Sequence, residues 1–96
     1  MRYRIDPEVV WTPSQDEVRL YSARTGEFQT LNSTAAQIWL GISENGSAED
    51  TAAELAVRYG ADSPAQRALI TRDIEEFVTR LVAQGLLEEE SGAARA

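Results

Sequence analysis

The stretch Phe28 to Trp39, FQTLNSTAAQIW, changes periodicity without leaving room for a loop. Up to Leu31 the residues alternate as in a strand. From Ala35 onward, Ala35, Ile38, Trp39 and Ile42 fall at i, i+3, i+4 and i+7, the apolar stripe of an amphipathic helix. Only Asn32, Ser33 and Thr34 stand between, and each is able to cap a helix. Thr34 with Gln37 also fits the reciprocal capping box, so the helix start is open by two residues. A strand joined so tightly to a helix has little freedom to reorient, and Leu31 and Trp39 are expected to enter one core.

Both sides of the junction supply the rest of a small domain. Upstream, DPEVVWT (6–12) is a short apolar run stopped by Pro13, and EVRLYS (17–22) alternates with Val18 and Leu20 on one face. Turn residues lie between them, and Gly26 suits a hairpin into EFQTL (27–31). This third strand is short and polar on one side, through Glu27 and Gln29, as exposed edges often are. Downstream, SENG (43–46) ends the first helix. The second starts at a Ser47 cap with Glu49 and Asp50 in its first turn, and is expected to bury Ala48, Ala52, Leu55, Ala56 and Tyr59 ahead of Gly60. The third has Ser63 as cap, Pro64 at the first helical position and Gln66 completing a capping box. Its apolar stripe is Ile70, Ile74, Phe77, Val78 and Leu81. Gly85 closes it, with Leu86 folding back on Leu81 or Val82. The expectation is an α+β domain of winged helix-turn-helix type, a three-stranded antiparallel sheet followed by three helices. Residues 1–88 form one domain and 89–96 a flexible tail of acidic and small residues.

Composition then removes whole classes of function. The chain of 96 residues has no His, no Cys and, among its nine basic residues, no Lys. Zinc-type sites, Ser-His-Asp or Cys-His nucleophiles and Schiff-base lysines therefore have no residues to build them. The paired acids at 73–76 and 88–90 suit a solvated helix face and a charged tail better than an acid/base pair. The expectation is a non-enzyme without metal or cofactor. No apolar run approaches the ~20 residues of a membrane helix and no signal-peptide pattern opens the chain, so the expected compartment is the cytoplasm, with no membrane partner. A net charge of −7 is concentrated in the helical half. In the third helix Arg67, Arg72 and Arg80 are balanced by Asp73, Glu75 and Glu76, which leaves no basic face for phosphates. A winged-helix DNA-binding protein is thus the less favoured alternative, and an adaptor that docks enzymes without reading a peptide is a further one. A protein or peptide partner fits the charge better than nucleic acid.

Leu31-Asn32-x-Thr34-Ala35 followed by Ile38-Trp39, the segment TAAELAVRYG (51–60), and Asp73-Ile74-x-x-Phe77 followed by Leu81 and Gly85-Leu86-Leu87 occur in a characteristic order. Together, over residues 5–88, they resemble the PqqD-like family, the precursor-peptide recognition elements of ribosomally made, post-translationally modified peptides. The resemblance implies a module that binds the leader of a precursor peptide and presents it to modifying enzymes. The leader would add as a strand beside the third strand and lie in a groove against the third helix. A free-standing domain of this size is similar to the recognition subunit of split lasso-peptide systems. The implied partners are then a separate leader peptidase of cysteine-protease type and an ATP-dependent cyclase. The alternative within the family is a peptide chaperone in pyrroloquinoline quinone synthesis, working with a radical S-adenosylmethionine enzyme. Backbone groups of an edge strand and pockets beside it are the physical means for such recognition. The candidate peptide-binding residues are Glu27, Phe28, Gln29, Thr30 and Leu31 on the strand and Ile70, Asp73, Ile74, Phe77 and Arg80 on the third helix. Of the helix set, Ile74 belongs to the core stripe, and the others lie at the flank facing the strand.

Overall fold

In a computed structural model, residues 2–90 are described. The order of elements is β1 (Tyr3–Ile5), β2 (Val9–Ser14), β3 (Glu17–Ser22), β4 (Glu27–Leu31), α1 (Ser33–Asn45), α2 (Ala48–Arg58), α3 (Pro64–Ala83) and β5 (Leu87–Glu89). Strands β2, β3 and β4 form an antiparallel meander in that spatial order, so β3 is central and β2 and β4 are its edges. The three-stranded sheet followed by three helices is the α+β architecture expected from sequence. No helix among the described residues is long and apolar enough to cross a membrane.

Two features of the strands differ from the sequence reading. The run at 9–12 does not stop at Pro13 but continues to Ser14, with Pro13 opposite Val18. An edge strand tolerates this, because one of its sides has no neighbour that needs an N–H. Second, β1 and β5 pair antiparallel as a separate two-stranded sheet, with Tyr3 opposite Glu89 and Ile5 opposite Leu87. Glu89, expected in the tail, is therefore the last residue of a strand, and the Glu90 N–H donates to the Arg2 carbonyl at 2.8 Å. The remainder of the expected tail, residues 91–96, lies outside the described residues.

The helix boundaries follow local chemistry. Asn32, of the three possible caps, is the one used: its Oδ1 accepts the Ala35 N–H at 3.1 Å. Ser47 caps α2 and Ser63 caps α3, the latter with the reciprocal Gln66 box. At the end of α3 the Leu86 N–H donates to Leu81 O and the Gly85 N–H to Val82 O, the paired bonds of a Schellman closure, with Gly85 at φ +78°. Tyr59 departs from expectation. It is 51% exposed, because the helix stops beneath it, and its hydroxyl donates to Gln37 Oε1 at 2.7 Å.

One core joins the layers. Val18, Leu20 and Leu31 from the sheet meet Ile38, Trp39 and Ile42 from α1 and Ile74, Val78 and Leu81 from α3. Trp39 is fully buried, and Trp11 meets it edge to face at 6.0 Å between ring centroids. Its indole Nε1 has no hydrogen-bond partner among the described residues. An unsatisfied buried donor costs about 1–3 kcal/mol, so the ring stays there only because its apolar burial outweighs that loss.

Asp6 is only 3% exposed yet charged. Its Oδ1 accepts the Glu8 N–H at 2.8 Å and its Oδ2 accepts from Arg24 Nη2 at 2.6 Å, tying the chain after β1 to the β3–β4 loop. The Glu8 N–H first, and then the Arg24 guanidinium, hold the Asp6 carboxyl below its usual value against the opposing effect of burial. A depressed carboxyl stabilises the fold above its unfolded-state value and loses that contribution as pH falls through the folded value. Asp6→Asn is therefore expected to lower the urea midpoint at pH 7, and the gap to wild type to close as the pH is taken below about 4. A gap that persists unchanged into acid would show that the carboxylate charge is not what matters.

Gly41 of α1 packs tightly against Thr51 of α2. A Cβ there would stand 2.7 Å from Thr51 Cγ2 and 2.8 Å from its Oγ1, and Thr51 is itself buried. Alanine gains about 1 kcal/mol of helix propensity over glycine, but overpacking a buried contact costs about 1–3 kcal/mol. Gly41→Ala is expected to destabilise the protein in chemical denaturation. Adding Thr51→Ala should restore much of the loss.

Candidate functional site

Cross-strand pairing decides which way each β4 residue points. Paired residues share a face of the sheet. Gln29 lies opposite the buried Leu20, Leu31 opposite Val18 and Glu27 opposite Ser22, so Glu27, Gln29 and Leu31 extend on the helix side. Phe28 and Thr30 extend on the outer face, where Phe28 is 82% exposed and its ring lies 4.7 Å from that of Tyr21. The polar side of β4, which its composition suggested was the solvent side, is thus the side that overhangs the core, and the aromatic points out.

Backbone direction follows from the first hairpin. Its two-residue turn, Gln15-Asp16, closes on the pair Ser14–Glu17. Two-residue hairpins close on a hydrogen-bonded pair, and such pairs alternate along an antiparallel ladder. The backbone groups of Glu17, Arg19 and Tyr21 therefore serve β2, and those of Val18, Leu20 and Ser22 serve β4. On β4 this commits Glu27, Gln29 and Leu31 to the sheet and leaves the N–H and C=O of Phe28 and Thr30 directed outward. By the same alternation Pro13, which has no N–H, sits at an outward position of β2. One sheet edge is blunted by proline; the other offers unpaired groups among the described residues.

The second wall is α3. Ile74, Val78 and Leu81 face the core and are buried. On one flank of that stripe lie Ile70 and Phe77, both half-buried against the core, with Asp73 and Arg80 exposed at the rim. The Arg80 guanidinium lies 5.6 Å from the centroid of the Phe77 ring. Asp73 makes no hydrogen bond or ion pair among the described residues; the nearby ion pair along the helix is Arg72–Glu76, at 3.7 Å. Gln84, seven residues beyond Phe77 and so on the same flank, reaches the sheet. With Leu20, Ser22, Glu27, Gln29 and Leu86 it lines a hollow of about 430 Å³ between the end of α3 and the start of β4.

The ten candidate residues thus fall into three places. Glu27, Phe28, Gln29 and Thr30 are exposed on the free strand. Ile70, Asp73, Phe77 and Arg80 share one flank of α3. Leu31 and Ile74, at 3% and 2% exposure, are core residues beneath the site and shape its floor from within. Sequence reasoning did not single out Leu20, Ser22, Gln84 and Leu86 for the site. The i+7 relation of Gln84 to Phe77 was available as a signal, but nothing local places Leu20 and Leu86 beside each other. The arrangement offers main-chain donors and acceptors beside a hollow with apolar and polar walls, which suits holding an extended chain.

No curated protein matches the sequence significantly. Two solved structures match over nearly their whole length. One is TbiB1 in complex with the TbiA(beta) leader peptide, with 27% identity, a TM-score of 0.81, 92% of this chain and 98% of that one. The other is a lasso peptide synthetase B1 complexed with the leader peptide, with 28% identity, a TM-score of 0.75, 93% of this chain and all of that one. The family model for coenzyme PQQ synthesis protein D (PqqD) matches residues 17–87, from the start of β3 to the start of β5. The chain belongs to the PqqD family.

Proposed function

We propose that this chain binds the leader segment of a ribosomally made precursor peptide, of the lasso-peptide class, by strand addition to β4. The observation that carries the reading is the free β4 edge at Phe28 and Thr30, next to a hollow that β4 shares with Gln84 at the end of α3. Main-chain bonds from the edge supply affinity with little regard to sequence, and the groove supplies selection. Side chains of the added strand on the helix side enter the groove, and those on the other side lie next to Phe28. The structurally similar B1 proteins are in complex with leader peptides, which supports the lasso reading over the quinone-cofactor chaperone that the family also contains. The chain itself catalyses nothing, and its role is to deliver the bound precursor to a separate leader peptidase and to an ATP-dependent cyclase.

Binding of the cognate leader is expected to protect amides at 27–31 and along the 70–80 flank from hydrogen exchange. Thr30→Pro removes one outward donor without touching the β3 ladder. It is expected to weaken leader binding about tenfold while leaving the circular dichroism unchanged, since a charge-free main-chain bond at a desolvated edge contributes about 1–1.5 kcal/mol. Asp73→Ala tests the rim, and Phe77→Ala tests the wall if a melt shows the fold intact. Protection confined to α2 would place the site elsewhere.

Delivery is tested separately. The purified chain should leave precursor uncut, and adding it to the peptidase should accelerate leader removal at limiting precursor. Equal rates with and without it would reject delivery while leaving leader binding standing.

A further inference from the structure

The hollow at the Glu27 end of β4 has a chemistry of its own. Its floor is apolar, formed by Leu20 and Leu86, and its walls are the amides of Gln29 and Gln84. Glu27 is the one charged residue lining it. Among the described residues the Glu27 carboxylate has no hydrogen bond and no ion pair. The cation nearest in the chain, Arg24 in the preceding loop, is committed to Asp6 at 2.6 Å. The Ser22 hydroxyl is likewise engaged, accepting the Thr25 N–H at 3.4 Å. An apolar floor ending at an uncompensated carboxylate matches a side chain with an apolar stem and a cationic head.

We propose that this hollow is a subsite for one basic residue of the bound peptide, with its stem on Leu20 and Leu86 and its head on Glu27. The inference rests on the strand-addition reading above and adds to it a selectivity that the main-chain bonds cannot provide. The geometry also fixes where the residue stands. A peptide paired with β4 places on the helix side the residues opposite Glu27, Gln29 and Leu31, two apart from one another. The basic residue is therefore an even number of positions from the apolar residue that reaches the Phe77 flank, and the residues between them face outward beside Phe28. The charge is local: Glu17 at the start of β3 is also exposed but does not line the hollow.

The test is selection from a phage-displayed library of random 16-residue peptides on the full chain and on Glu27→Gln, Glu27→Arg and Glu17→Gln. Glu27 is exposed, so these changes are expected to leave the circular dichroism and melting of the protein intact. Wild type and Glu17→Gln should enrich peptides with Lys or Arg at one position, evenly spaced from an apolar residue. Glu27→Arg should replace that residue with Asp or Glu. A synthetic wild-type winner should lose about threefold to tenfold in affinity on Glu27→Gln, as for a partly screened ion pair, and the loss should shrink at high salt. Enriched peptides without a basic position, or with one that Glu27→Arg leaves unchanged, overturn the subsite while leaving strand addition in place. Failure of every variant to enrich any peptide overturns the peptide-binding reading, and the subsite with it.

Discussion

Leu31 ends β4 and Ser33 begins α1, and this one-residue spacing holds the sheet and the helices in a single body. Leu31 is buried against Val18 while the Asn32 side chain closes the first turn of the helix, so the chain turns from strand to helix with no slack. Trp39, two turns later, fills the centre of the core. Burial of these two side chains fixes the angle of α1 to the sheet, and the remaining helices pack on what that angle leaves. The opposite end of β4 is held by other means: the loop before it is tied through Arg24 to the buried Asp6. A strand whose first four residues are exposed is thus anchored at both ends.

That anchoring holds the exposed edge in place before any partner arrives. An unpaired strand that had to order itself on binding would spend about 1–2 kcal/mol per residue of conformational entropy. A chain that pairs with β4 as proposed would meet an edge that is already ordered, so the ordering cost would fall on that chain alone. The other edge of the sheet is treated differently. Pro13 sits where β2 would otherwise present an N–H, which discourages pairing there and leaves β4 as the side open to another chain.

In the proposed mode of binding, the same strand divides two kinds of recognition between its faces. Its outward backbone groups at Phe28 and Thr30 are indifferent to sequence. Its helix-side residues Glu27 and Gln29 border a hollow floored by Leu20 and Leu86, in which Glu27 is the one charged residue. For a peptide bound in this way, affinity and selectivity would change independently through substitutions at different positions, because they would reside on different atoms of neighbouring residues.

The sequence by itself determined the elements and most of their ends. The three helices, their Ser47, Ser63 and Gly85 boundaries, the meander and the strand-to-helix junction are all set by contacts within a few residues, which local patterns record. The edge character of β4 and the flank containing Ile70, Asp73, Phe77 and Arg80 were legible for the same reason. Tertiary structure alone decided the rest. The pairing of β1 with β5 joins residues more than eighty positions apart and leaves no periodic trace in two three-residue strands. The inward direction of Glu27 and Gln29 follows from their register against Leu20 and Ser22, which polarity alone reads backwards because the core does not extend far enough to cover them. The hollow brings Leu20 to Leu86 and Gln84 to Glu27, and only the packing of α3 against the sheet determines that these residues share one space.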